Sequence, residues 1–228
     1  MLHDAILQFY QNLHLPERHL PEGVKVMNPY RNPQPEVQQA LRDFYGRFYC
    51  DTAPRGLILG INPGRFGAGV TGIPFTDTRA LREDCTIDFA PNTRETSAEF
   101  VYKMIEACGG TEAFYKRWFI GAACPLGFVY QNLRGNWVNY NYYDKAELYQ
   151  AVKPFMIAQL KAQKAMCGHP KSAVVWGTGK NFQYLSKLNE EAALFEELLP
   201  LEHPRYIMQY KRRHLPHYLK KFQTTLGF

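Results

Sequence analysis

The sequence predicts an α/β protein, a three-layer α/β/α sandwich around a four-stranded parallel sheet. Four short apolar runs, 56–61, 118–123, 173–176 and 198–201, lack polar alternation, as strands buried on both faces do. Segments with helical spacing separate them, the pattern of βαβ units. The chain has 228 residues, 46% hydrophobic and 21% charged, enough to bury a full core without disulfide or metal staples.

The elements follow in chain order. Residues 3–14 and 35–49 carry apolar side chains at helical spacing, the second after the proline-rich loop 29–35. The run 56–61 is the first strand. The spacing then predicts a helix over 95–108, with Thr96 or Ser97 as cap and Gly109-Gly110 as stop. A short helix over 111–117 leads into the second strand. The next helix, 144–165, opens on Asp144 with Glu147 three residues later, a capping-box spacing. The third strand is followed by helices over 179–187 and 190–197, then by the fourth strand and a last helix over 214–225. No repeat, low-complexity tract or linker divides the chain, so residues 1–228 read as one domain.

Charge is distributed unevenly. The net charge is +6, from 27 Lys and Arg against 21 Asp and Glu. Residues 203–228 hold Arg205, Lys211, Arg212, Arg213, Lys220 and Lys221 and no acid, so residues 1–202 carry 21 of each sign. A local basic surface points to an anionic partner, nucleic acid first, although a solvated basic helix has the same composition. The first fifteen residues lack the basic start, apolar centre and small-residue cleavage site of a signal peptide. No apolar run approaches the ~18 residues of a membrane span. The expectation is a cytosolic monomer with no membrane contact. Five separated cysteines without a CxxC pair argue against a disulfide framework, a zinc ribbon or an iron–sulfur cluster, and Cys124 reads as a small core residue.

In parallel sheets, ligands bind beyond the carboxyl ends of the strands. The first strand runs into Gly60-Ile61-Asn62-Pro63-Gly64-Arg65-Phe66-Gly67-Ala68-Gly69-Val70-Thr71-Gly72-Ile73-Pro74-Phe75, a tight loop with bare amides suited to an anion or a flat ligand. It is neither a GxGxxG fingerprint nor a Walker loop, and Gly177-Thr178-Gly179-Lys180 after the third strand is no Walker loop either. The second strand ends in Cys124-Pro125-Leu126 and the fourth in Glu202-His203-Pro204. Taken singly, Asn62 is an ordinary turn starter before Pro-Gly and His203 an ordinary strand cap. Taken together they share one rim of the sheet.

The stretch from Gly60 to Phe75 resembles the first active-site motif of the single-strand-selective monofunctional uracil-DNA glycosylases, a family of the uracil-DNA glycosylase superfamily. Residues 119–128, ending in CPL, resemble that family's second strand, and His203-Pro204 its second motif. The similarity covers roughly residues 50–225 and is nearest to a divergent bacterial branch. The resemblance implies the glycosylase fold and hydrolysis of the bond between a deaminated base and deoxyribose in DNA, without a cofactor or metal. It implies that Asn62 positions the attacking water and that His203 hydrogen-bonds uracil O2 and stabilises the leaving anion. Phe75 matches the aromatic that stacks on the flipped base; Gly64 and Ala68 match positions that shape the pocket near C5.

The residue types suit that chemistry. A base in a duplex must be flipped out to be reached. A donor aimed at O2 acts where negative charge develops, and a neutral imidazole supplies one. Asn62 orients water but is no strong base, so catalysis leans on the leaving group. No lysine lies between Gly60 and Phe75, which argues against an amine nucleophile and a lyase step.

Two departures stand out. Where the family reads the base edge with an Asn, this chain has Ala122. Another side chain, with Asn141 or Asn139 as candidates, reads the base; or backbone amides do; or the pocket admits xanthine or hypoxanthine. The loop after His203 reads Arg205-Tyr206-Ile207-Met208-Gln209-Tyr210 in place of a Ser-Pro-rich stretch. Tyr206, Ile207 and Met208 suit a wedge that fills the gap of a flipped base, with Arg205, Lys211, Arg212 and Arg213 on phosphates. The same residues also suit a hydrophobic turn on the last helix. A DNA-binding protein that keeps the fold without catalysis is the alternative function, and the pairing of Asn62 with His203 argues against it. A hydrolase of free nucleosides needs no extended cationic surface.

Overall fold

The computed structural model describes residues 1–228. In chain order the elements are α1 (Leu2–Gln11), β1 (Val24–Met27), α2 (Pro35–Phe48), β2 (Gly56–Gly60), α3 (Ala68–Thr71), α4 (Thr78–Glu83), α5 (Thr96–Ala107), α6 (Gly110–Tyr115), β3 (Trp118–Ala122), β4 (Gly127–Gln131), β5 (Trp137–Tyr140), α7 (Ala146–Met166), β6 (Ser172–Trp176), α8 (Lys180–Ala192), β7 (Glu197–Leu201), α9 (Pro204–Tyr210) and α10 (Leu215–Leu226). The four apolar runs form one parallel sheet in the order β3-β2-β6-β7. Its two central strands are almost entirely buried: Leu57, Ile58 and Leu59 face Val174 and Val175. Helices cover both faces. α7 packs on α1 and α8 on one side, and α5 packs on α9 and α10 on the other. One apolar cluster runs from Leu2 to Leu226.

The structure departs from the sequence expectation at several elements. β1, β4 and β5 form a second, antiparallel sheet in the order β1-β4-β5. These strands are short and half-exposed, so they carry no continuous apolar run; Asn136–Asn141 read as turn chemistry although Trp137–Tyr140 is a strand. The helix expected over 190–197 does not form. α8 continues to Ala192, Ala193 adopts φ 49°, and the chain enters β7 at Glu197. The capping expectations also change. Asp77 caps α4 through Ala80 N–H and also accepts from Glu95 N–H, tying the start of α5 in place of a Thr96 or Ser97 cap. Asp144 accepts from Asn141 N–H, and Lys145 stands at the α7 N-cap.

The segment after His203 is a helix, α9. Pro204 occupies its first turn, where its missing N–H is no loss, and the His203 ring caps it. Two layers of helix and the second sheet thus meet at the carboxyl ends of β2, β3 and β7.

Candidate active site

A cavity of about 400 Å³ opens at that rim. Asn62, Gly64, Ala68 and Phe75 from the β2 loop line one part of it. Ala122, Asn139 and Asn141 line a second part, and His203, Arg205 and Tyr206 a third. The residues expected at the two motifs therefore share one pocket, although 141 positions separate Asn62 from His203 in the chain.

Each side chain is held. Asn62 Nδ2 donates to Tyr140 O at 3.2 Å and, at 3.4 Å, to Pro63 O. Its Oδ1 accepts from Tyr142 N–H at 3.2 Å. Those partners fix the amide's orientation and leave one Oδ1 lone pair free. Tyr142 is buried, and its hydroxyl donates to Asn181 Oδ1 at 2.8 Å, while Asn181 Nδ2 donates to Trp176 O. The Asn62 carboxamide is thereby tied to the end of β6.

His203 Nδ1 accepts from Arg205 N–H at 3.1 Å, which assigns the ring proton to Nε2. Burial, and then the positive charge of Arg205, lower its pKa to about 4. The imidazole is therefore neutral near pH 7 with one N–H to donate. Its ring lies 5.7 Å from that of Phe75, which meets Trp176 edge-on at 4.8 Å. Phe75 sits at φ 54°, a strained region for an aromatic residue. Gly60 makes room for it, since a Cβ there would approach the Phe75 ring to 2.5 Å. Strain at Phe75 is thus supported by the strand before it.

Ala122 lines the cavity, and its backbone is fully engaged. Its N–H donates to Gln163 Oε1 at 3.1 Å, and its C=O accepts from Gln163 Nε2 at 3.0 Å. Ala123 N–H and Cys124 N–H bond Gly60 O and Ile61 O. No amide of this turn from 122 to 124 is left to read a base. Asn139 Oδ1 accepts from Arg65 N–H, whereas the Asn141 carboxamide has no protein partner. Cys124 is buried, and desolvation raises its thiol pKa to about 12, consistent with a core role.

The expected wedge needs correction. Ile207 and Met208 are buried in the core face of α9, so neither forms an exposed wedge. Helical spacing turns Tyr206 and Tyr210 outward, with ring centroids 5.6 Å apart. Arg205 is exposed at the cavity. Lys211, Arg212 and Arg213 lie past α9, outside the cavity lining, and Arg212 pairs with Glu99 at 2.7 Å.

One lining residue gave no sequence signal. The Glu95 carboxylate lies against the β2 loop, where a Cβ on Gly67 would fall 1.9 Å from its Oε2. Desolvation, and then Asp77, raise its pKa to about 7, opposed by Arg205. Its position depends on a glycine 28 residues earlier, a relation that no local motif expresses.

Comparison with known proteins agrees with this fold. A family model described as the uracil DNA glycosylase superfamily matches residues 47–227. The single-strand selective monofunctional uracil-DNA glycosylase of Rattus norvegicus is 27% identical over 136 residues, covering 52% of this chain and 48% of the relative. The Mus musculus protein of the same description is 26% identical over 136 residues, with 52% and 47% covered. The chain thus spans about half the length of the curated relatives it matches. The crystal structure of wild-type Pedobacter heparinus SMUG2 is 40% identical and superposes with a TM-score of 0.95, covering 99% of this chain and 97% of that one.

Proposed function

Because this chain belongs to the uracil DNA glycosylase superfamily, we propose that it is a monofunctional DNA glycosylase that hydrolyses the N-glycosidic bond of uracil, and of other deaminated bases, in base excision repair. Residues 1–228 act as one domain in this reading, in keeping with the continuous core. The observation that carries it is the neutral His203, with Nε2–H to donate, in one cavity with a tethered Asn62.

The extruded base stacks on Phe75, and a water is held by the free Oδ1 lone pair of Asn62. As the glycosidic bond breaks, its electron pair leaves with the base, and the His203 Nε2–H stabilises the charge on O2. Water then adds to the sugar, its proton passing to solvent or to the departing base. Gly64 and Ala68 bound the base near C5. Ala122 contributes a small wall, and Asn141 reads the polar edge with its unpaired carboxamide. A carboxamide offers both a donor and an acceptor, so it can pair with uracil or with the six-membered edge of xanthine or hypoxanthine. Tyr206 is the wedge in place of Ile207, and Arg205, Lys211, Arg212 and Arg213 neutralise phosphates.

Incubation with oligonucleotides bearing uracil, xanthine, hypoxanthine or 5-hydroxymethyluracil, single- and double-stranded and without added metal, tests this. The expected result is uracil release without strand cleavage. No release from either form of uracil substrate contradicts it.

A further inference from the structure

The β2 loop and the β4–β5 hairpin carry features that the chemistry above does not use. Phe66 is 52% exposed, and the Arg65 guanidinium stacks on its ring at 4.6 Å. That guanidinium makes no hydrogen bond or ion pair to the protein, and its Nε is buried without a partner. The backbone N–H of Arg65 binds Asn139 Oδ1, which joins this loop to β5. Trp137 is 40% exposed and lies two residues before Asn139, on the same face of the strand and roughly 7 Å along it. Beyond it the β4–β5 hairpin adds the exposed Leu133 and Arg134. An aromatic and cationic strip therefore runs from the cavity rim outward.

We infer that this strip, Arg65, Phe66 and Trp137, binds the unpaired nucleotides next to the extruded one. The inference rests on the glycosylase reading for its choice of DNA. Exposed ring faces bind bases without sequence preference, and they require bases that are not already stacked in a duplex. Arg65 supplies the phosphate contact: its Nη donors have no protein partner, and the guanidinium is oriented by the ring beneath it. Continuity with the cavity and the charge of Arg65 and Arg134 favour a nucleic acid strand over an apolar peptide.

Tryptophan emission reads this directly. Trp176 is buried and Trp118 half-buried with its Nε1 bonded to Leu226 O, so Trp137 is the exposed reporter. A uracil-free single-stranded 12-mer should quench the emission of the full chain. Trp137→Ala should abolish most of the quench and weaken single-strand binding about tenfold, while a matched duplex of equal length loses less than twofold. Phe66→Leu should act in the same direction, and Arg65→Ala should lower the single-strand salt slope by about 0.7, the value for one phosphate. Unchanged emission on adding the 12-mer, or equal losses on single strand and duplex, overturns the inference. Uracil release by the wild type is scored separately: its absence defeats the enzymatic reading, whereas the quench decides this one.

Discussion

At the scale of single residues, the proton on His203 Nε2 follows from one backbone hydrogen bond, that of Arg205 N–H to Nδ1. Replacing His203 with Ala removes the only imidazole that lines the cavity. The expected loss in single-turnover uracil release is about 10²–10³-fold, the usual effect of deleting a donor to a developing anion. Glu95 acts with the opposite sign. Its pKa of about 7 places a carboxylate in the cavity above neutral pH, where it opposes charge building on the leaving base. Uracil release should therefore fall as pH rises through about 7, and Glu95→Gln should flatten that fall; a pH–rate profile of both proteins checks this. Asn62 and His203 were legible in the sequence because each ends a strand within a short motif. Glu95 and Gln163 were not. One owes its place to Gly67, and the other sits in the last turn of α7, where only the fold brings it to Ala122.

At the scale of elements, the four parallel strands were legible because each is an unbroken apolar run. The second sheet was not. β5 alternates exposed and half-buried residues over only four positions, and Asn139, with Asn136 and Asn141 on either side of the strand, looks like turn chemistry. Yet β5 and the turn after it orient Asn62 and present Asn141. Asn141→Ala should reduce discrimination between uracil and cytosine, or lower uracil release about 10-fold or more, because the base loses its only unengaged side-chain carboxamide in this turn; competition between the two substrates measures it. α9 was hidden as well. Its proline looks like a loop signal, whereas at the first helical turn it starts a helix. The helix decides which residues face solvent: Tyr206 points out and Ile207 in. Arg212→Ala with Arg213→Ala should flatten the salt dependence of DNA binding by about one to two phosphates. Arg212 is already paired with Glu99, so the lower figure is expected.

At the scale of the whole molecule, the +6 surplus belongs to the segment that begins at His203. The fold places part of it, Arg205, at the cavity, and Lys221 is spent on Glu202 at 2.8 Å. The same fold sets a pH balance. His203 has a lowered pKa, so between the ordinary 6.5 and about 4 the unfolded chain binds a proton that the folded chain does not; stability falls as pH falls through that range. Glu95 has a raised pKa, so between the ordinary 4.5 and about 7 the folded chain holds the extra proton, and stability falls as pH rises. Glu95→Gln should therefore raise Tm at pH 8 by a few degrees, for a gain on the order of 1 kcal/mol, and leave it unchanged near pH 4. Single-turnover uracil release and DNA affinity, measured together for Asn62→Ala and His203→Ala, test whether these two residues form one hydrolytic site. Both variants should lose at least 10²-fold in rate while Kd for uracil-free DNA stays within about threefold. Equal losses in rate and affinity, or a rate that survives either substitution, would contradict it.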